Sequence, residues 1–219
     1  MLQVLFVCTA NLCRSPMADA VFRKRIAQAG LQERVNSASA GTHRYRIGEA
    51  PDARAVSMLR RRGYPVHESH ARQVTHADLL ASDWVLAMDY ENLQALERIC
   101  PKDLRHRVHL LMRFAEQPVS LVVPDPYRDT DKAFDQALDL IEAGCAGLVA
   151  TVQQRLAALE RLGARTAAGR RRGAWRRTTV TRRAPRTASP PSRAGSAPPA
   201  NRRSPRPASA PLAPRPPCA

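Results

Sequence analysis

The sequence predicts an α/β protein. Residues 1–162 read as a single three-layer domain, a four-stranded parallel sheet with helices on both faces, and residues 163–219 read as a disordered tail. Three observations carry this. Short apolar, β-branched runs alternate with stretches of helical period, the pattern of a parallel sheet joined by right-handed crossovers. Polar residues capable of chemistry follow the ends of those runs, on the edge where open α/β sheets bind ligands. From Gly163 onward the periodicity collapses into Arg, Pro, Ser and Ala.

The elements follow in order. Leu2 to Val7 is a buried strand closed by Cys8. A helix over 16–29 places Met17, Val21, Phe22 and Ile26 on one face, with Ser15 as N-cap, Pro16 as its first residue and Gly30 as its stop. Val35 to Ala40 is the second strand, running into Ser39-Ala40-Gly41-Thr42, and residues 43–50 are a loop carrying Tyr45. A helix over 52–62 turns Ala55, Val56 and Leu59 inward and ends at Gly63. Thr75 caps a short helix through Leu80. Trp84 to Met88 is the third strand, with Asp89 and Asn92 at its carboxyl end, and Val108 to Met112 is the fourth. A long loop over 115–130 holds Asp125-Pro126-Tyr127. The last helix runs from Lys132 to Leu162, with Gly144 and Gly147 as weak points in its middle.

Charge divides the chain in two. The net charge of +16 comes from 35 basic and 19 acidic residues, and residues 163–219 hold 14 Arg with no Lys and no acid. The domain is therefore close to neutral, at about +2. The tail also holds 11 of the 18 Pro and cannot bury a core. Fourteen unopposed Arg would attract polyanions such as nucleic acid or acidic surfaces. Five Cys at 8, 13, 100, 145 and 218 form no dense framework, which suits a reduced cytoplasmic protein. Residues 2–7 are too short for the apolar stretch of a secretory leader and no cationic segment precedes them, so no leader is expected, and no apolar run approaches the ~18 residues of a membrane span. The pairs His67-x-x-His70 and His106-x-x-His109 lack further ligands at suitable spacing, so no metal is expected.

The chemistry concentrates between Cys8 and Pro16. A thiol at a strand end is followed, after five residues, by Arg14 and a helix start. A tight loop entering a helix turns backbone N–H groups inward and adds the positive end of the helix dipole. Arg14 supplies a planar fork matching two phosphate oxygens. Such a bowl favours the thiolate of Cys8, a nucleophile placed under a bound phosphoryl group. Asn11 suits a left-handed backbone position within the loop.

The stretch Val4 to Ala18, with Cys8-Thr9-Ala10-Asn11-Leu12-Cys13-Arg14-Ser15-Pro16 at its centre, closely resembles the low-molecular-weight protein tyrosine phosphatases. Ser39 to Thr42, Ala71-Arg72-Gln73, Val85 to Asp89 with Asn92, and Pro124-Asp125-Pro126-Tyr127 match in the same order, so the resemblance covers about residues 1–160. It implies a flavodoxin-like sheet of order 2-1-3-4. It implies a hydrolase of phosphotyrosine proteins and aryl phosphates, with no cofactor, working through a cysteinyl-phosphate on Cys8. Loop 8–15, from Thr9 through Ala10, Asn11, Leu12 and Cys13 to Ser15, then cradles the phosphate with Arg14. Asp125 serves as general acid and base.

The same resemblance gives the supporting residues their roles. Ser15 donates to the Cys8 thiolate, Asn11 braces the loop through Ser39, and Tyr45 and Tyr127 wall the substrate slot. Cys13 is the redox partner that traps oxidised Cys8 as a disulfide. Leu12, apolar where phosphoarginine-specific relatives carry Thr, points to the tyrosine branch. Three positions depart from the pattern: Ala10 replaces a frequent Gly, Arg128 replaces a second aromatic after Tyr127, and the structural His before Ala-Arg-Gln is displaced, with His70 directly preceding Ala71. Competing readings are an arsenate reductase on the same fold, which would need a resolving Cys pair where only Cys100 is found, and a phosphoarginine phosphatase.

Overall fold

The computed structural model describes residues 1–177, with side chains as far as residue 163. Met1–Gly173 form one compact unit, and of the second, Ala174–Ala219, only the end of the last helix is described. Four parallel strands, β1 (Leu2–Cys8), β2 (Val35–Gly41), β3 (Trp84–Ala87) and β4 (Val108–Leu110), stand in the order β2-β1-β3-β4. The helices are α1 (Arg14–Gln28), α2 (Ala53–Arg61), α3 (His76–Ala81), α4 (Tyr90–Ile99) and α5 (Asp131–Arg177). Among the described residues no helix is long and apolar enough to cross a membrane.

The period of two along β1 sorts its side chains into two cores. Val4, Phe6 and Cys8 pack with Met17, Val21, Phe22 and Ile26 of α1, with Ala55, Met58 and Leu59 of α2, and with the apolar stripe Phe134 to Leu156 of α5. Leu5 and Val7 point the other way, among Leu79, Val85, Ala87 and Leu96. Both faces of the central strand are thus buried, which is why it reads as a continuous apolar run. The same parity puts the Cys8 thiol on the α1 side of the sheet.

Helix boundaries follow the capping chemistry closely. Gly30 takes φ +68°, its N–H bonds Ala27 O and the Leu31 N–H bonds Ile26 O, closing α1 in a Schellman motif. Thr75 and Asp78 cap each other at the start of α3, and Asp89 accepts the Asn92 N–H at the start of α4.

Four expectations need correction. Ser15 is not an N-cap: α1 begins at Arg14, Cys13 precedes it without a side-chain cap, and the Ser15 hydroxyl points back into the loop. Pro16 falls later in the first turn, where its missing N–H is still harmless. β4 stops at Leu110, and Leu111–Phe114 is a 3₁₀ turn. α5 continues to Arg177, so 163–177 is helix where irregular chain was expected. Ala and Arg are strong helix formers, and no Pro occurs between Gly163 and Ala184 to stop them. The rest of the tail, and its polyanion reading, lie outside the residues whose side chains are described.

The fourth correction concerns Gly144 and Gly147, which are close contacts and not weak points. A Cβ on Gly147 would lie 1.7 Å from Phe114 O, and one on Gly144 would lie 2.8 Å from Leu111 Cγ. α5 approaches the Leu111–Phe114 turn at van der Waals limit only because both positions lack a side chain.

Candidate active site

The loop between β1 and α1 closes around the Cys8 sulfur. Asn11 adopts φ +60°, the one non-glycine residue with positive φ among the described residues, as its local sequence predicts. The turn aims the Asn11 N–H at Cys8 Sγ, 3.3 Å away. The Asn11 side chain fixes the turn in three directions. Its Nδ2 donates to Ser15 Oγ at 3.0 Å and to Ser39 Oγ at 2.9 Å, and its Oδ1 accepts the Arg72 N–H at 3.0 Å. The expected brace between Asn11 and Ser39 is therefore present, joined by a backbone partner on Arg72 that sequence reading did not foresee.

Ser15 Oγ lies 3.0 Å from Cys8 Sγ and 3.1 Å from the Ala40 carbonyl. The hydroxyl has one proton and receives another from Asn11, so it donates either to Ala40 or to the sulfur. β2 presses on the loop from below. A Cβ at Gly41 would come within 2.8 Å of Thr9 O and 3.0 Å of Asn11 N, while Thr42 N–H bonds Cys8 O and His43 N–H bonds Thr9 O.

Arg14 is 1% exposed, and its charge is compensated on all sides. Nη1 donates to Asp89 Oδ2 at 2.5 Å and to Val123 O at 3.0 Å. Nη2 donates to Thr9 Oγ1 at 3.2 Å and to Asp125 Oδ2 at 3.0 Å. Burial alone would make the guanidinium easier to deprotonate, yet Cys8, Asp125 and Asp89 outweigh it and raise its pKa. Asn92 completes the support: its amide oxygen takes the Thr9 hydroxyl at 3.1 Å, and its NH₂ faces the Asp89 carboxylate at 3.2 and 3.3 Å.

Asp125 enters from the long loop on the opposite wall. Its Oδ1 accepts the Tyr127 N–H at 3.3 Å, the turn expected of Asp-Pro, and leaves Oδ2 facing Arg14. Cys13 is 3% exposed. Burial pushes its thiol well above the usual range, with Asp52, Cys8 and Asp125 adding to the effect and Arg54 opposing it. Cys8, Thr9, Ala10, Leu12, Cys13, Arg14, Asp125 and both Tyr45 and Tyr127 line one cleft of about 380 Å³, joined by Arg46 and Arg128. Tyr45 and Tyr127 are 61% and 39% exposed, so the two rings stand at the mouth and the sulfur at the base. His70 is exposed and does not brace the loop.

A family model described as low molecular weight phosphotyrosine protein phosphatase matches residues 3–158. The chain belongs to that family. The phosphatase is 39% identical over 157 residues to the low molecular weight protein-tyrosine-phosphatase of Streptomyces coelicolor, covering 70% of this chain and 95% of that one. It is 41% identical over 135 residues to the human low molecular weight phosphotyrosine protein phosphatase, covering 60% and 84%. Among solved structures, the Entamoeba histolytica protein tyrosine phosphatase with Hepes in its active site superposes with a TM-score of 0.68 at 34% identity, over 70% of this chain and 98% of that one. The crystal structure of YfkJ from Bacillus subtilis gives 0.67 at 37%, over 71% and 96%.

Three parts of the phosphatase site escaped sequence reading. The Val123 carbonyl on Arg14 is a backbone group, visible only as the apolar run Leu121 to Val123 within the long loop. The Arg72 N–H on Asn11 is likewise backbone. Arg46 reaches the mouth of the cleft from the 43–50 loop, where its Nη2 donates to Tyr127 Oη at 2.9 Å. An Arg beside a pocket Tyr has no signature in one sequence.

Proposed function

We propose that this phosphatase hydrolyses phosphotyrosine and aryl phosphates through a cysteinyl-phosphate on Cys8. The observation that carries the reading is the convergence of three groups on one cleft: the Cys8 sulfur at its base, the buried Arg14 guanidinium beside it, and the Asp125 carboxylate on the facing wall.

The substrate phosphoryl group sits in the loop from Cys8 to Ser15. Its oxygens take the inward backbone N–H groups and the Arg14 fork. The Cys8 thiolate attacks phosphorus in line. A P–S bond forms, the P–O bond to the aryl group breaks, and Asp125 in its acid form gives a proton to the departing phenolate oxygen. Asp125, now a carboxylate, takes a proton from water as that water attacks phosphorus. The P–S bond breaks and phosphate leaves. The Ser15 hydroxyl swings its single proton from Ala40 O to the sulfur and receives the thiolate as it departs, a move supported by its 3.0 and 3.1 Å distances. Tyr45 and Tyr127 at the mouth hold the aromatic ring between them, and a phosphoserine side chain is too short to span from the mouth to Cys8.

Cys13 serves as the redox partner: when a peroxide oxidises the Cys8 thiolate to a sulfenic acid, the Cys13 sulfur in the same buried loop attacks the Cys8 sulfur, the S–O bond breaks, the Cys13 proton leaves with the oxygen as water, and external thiols reduce the resulting disulfide.

The test is p-nitrophenyl phosphate turnover in wild type, Cys8→Ser and Asp125→Ala, without any thiol partner. The proposal expects no turnover in Cys8→Ser and a strong reduction in Asp125→Ala. Full activity in Cys8→Ser refutes it, and an inactive wild type that reduces arsenate redirects the fold to the competing chemistry.

A further inference from the structure

We propose that Arg128 selects substrates carrying an acidic side chain next to the phosphotyrosine, an inference that rests on the phosphatase reading above. Three arginines line the cleft, and two of them are already neutralised within the protein. Arg14 lies between Asp89 and Asp125. Arg46 bonds both carboxylate oxygens of Glu49 at 3.1 and 3.3 Å and donates to Tyr127 Oη. Arg128 is exposed, and among the described residues no acid pairs with it.

The backbone that presents Arg128 is fixed on both sides. Arg54 Nη2 donates to Tyr127 O at 2.8 Å and Arg54 Nη1 donates to Asp129 O at 2.9 Å, so one guanidinium clamps the residues flanking Arg128. Asp52 holds that clamp at 2.9 Å, and the Asp129 N–H closes on Pro126 O at 2.9 Å. The side chain thus starts from a braced backbone beside Tyr127, at the mouth where a peptide must pass once its phosphotyrosine ring has entered. A cation without an internal partner, on a braced turn, gains most from an anion supplied by the substrate. A planar guanidinium matches the two oxygens of a carboxylate.

The experiment compares two phosphotyrosine peptides that differ only in Glu or Gln beside the phosphotyrosine, read as the ratio of their kcat/KM values. In wild type the Glu peptide should be favoured about two- to fivefold at ~0.1 M salt, the range of an exposed ion pair, with the ratio approaching one near ~1 M as screening shortens. Arg128→Gln should bring the ratio close to one at low salt, and Arg128→Glu should reverse it. A wild-type ratio of one, or a preference that survives in Arg128→Gln, overturns the assignment. p-Nitrophenyl phosphate, which has no flanking residue, separates the two layers. If wild type turns over neither it nor the peptides, the phosphatase reading itself fails. If it turns over all of them without preference, only the role of Arg128 fails.

Discussion

Arg14 Nη2 and Asp125 Oδ2 are 3.0 Å apart, so in the proposed mechanism the acid and a phosphoryl oxygen would compete for one edge of the same guanidinium. Removing the carboxylate charge should therefore have two opposite effects. In Asp125→Asn, inorganic phosphate should inhibit about two- to fivefold more tightly, the scale of a partly exposed ion pair. Turnover should fall by roughly 10²–10⁴ on phenyl phosphate, where the leaving group needs the proton, and by less on p-nitrophenyl phosphate. Inhibition constants and leaving-group dependence check both, and an unchanged phosphate affinity would contradict the competition.

Asp89 joins two jobs. Its Oδ1 caps α4 through the Asn92 N–H at 2.7 Å, and its Oδ2 anchors Arg14. Asp89→Asn keeps a good cap and loses the charge; Asp89→Ala loses both. Both should lose stability, because each leaves the buried Arg14 guanidinium short of its carboxylate, and the Ala variant should lose about 1 kcal/mol more for the cap. Both should lose kcat/KM, because Arg14 is no longer held against its wall. Thermal unfolding and steady-state kinetics on the two variants separate the roles, and an Asn variant with full activity would remove Asp89 from the positioning of Arg14.

Two glycines predict contrasting defects. At Gly41 a Cβ would meet the backbone of Thr9, Ala10 and Asn11 at 2.8–3.0 Å, so Gly41→Ala should displace the loop and depress kcat with a modest loss of stability. At Gly147 it would meet Phe114 O at 1.7 Å, and neither residue lines the cleft. Gly147→Ala should cost at least the roughly 1–3 kcal/mol of an overpacked core while the folded fraction keeps its kcat. Denaturant titration beside active-site titration distinguishes them, and equal kcat losses would contradict the assignment.

Asp78 gives a pH signature. Burial opposes its ionisation, but the hydrogen bonds from Arg72 and Thr75 outweigh it and hold its pKa below the ordinary carboxylate value. A depressed folded pKa means the stabilisation is fully present above the unfolded pKa and is lost as pH falls through the folded one. Melting temperatures of wild type and Asp78→Asn should therefore differ at pH 7 and converge in acid, below the ordinary carboxylate range. A constant gap would exclude the linkage.

Much of this was legible in the sequence because the informative residues are local. Cys8, Asn11 and Arg14 sit in one continuous turn, and the strand parity of Val4, Phe6 and Cys8 fixes which face the thiol takes. The Gly30 stop and the Thr75 cap are equally short-range. What escaped depends on distant partners. Ser15 reads as an N-cap from its neighbours, yet Cys8, Asn11 and Ala40 claim its hydroxyl, and α1 starts one residue before it. Gly144 and Gly147 read as weak points in a helix because Leu111 and Phe114, which need the space, lie some thirty residues away. The clamp from Arg54 onto Tyr127 and Asp129 spans an even longer separation and ends on backbone oxygens, which carry no side-chain identity.

The proposed hydrolysis depends on a covalent intermediate on Cys8. The most direct measurement is rapid-quench mass spectrometry of Asp125→Ala mixed with p-nitrophenyl phosphate, since the missing general base slows breakdown of the intermediate. One added phosphoryl group is expected on the peptide containing Cys8, formed as p-nitrophenol is released and absent from a Cys8→Ser, Asp125→Ala double variant. Turnover with no phosphorylated Cys8 peptide, or the same adduct in the double variant, would contradict it.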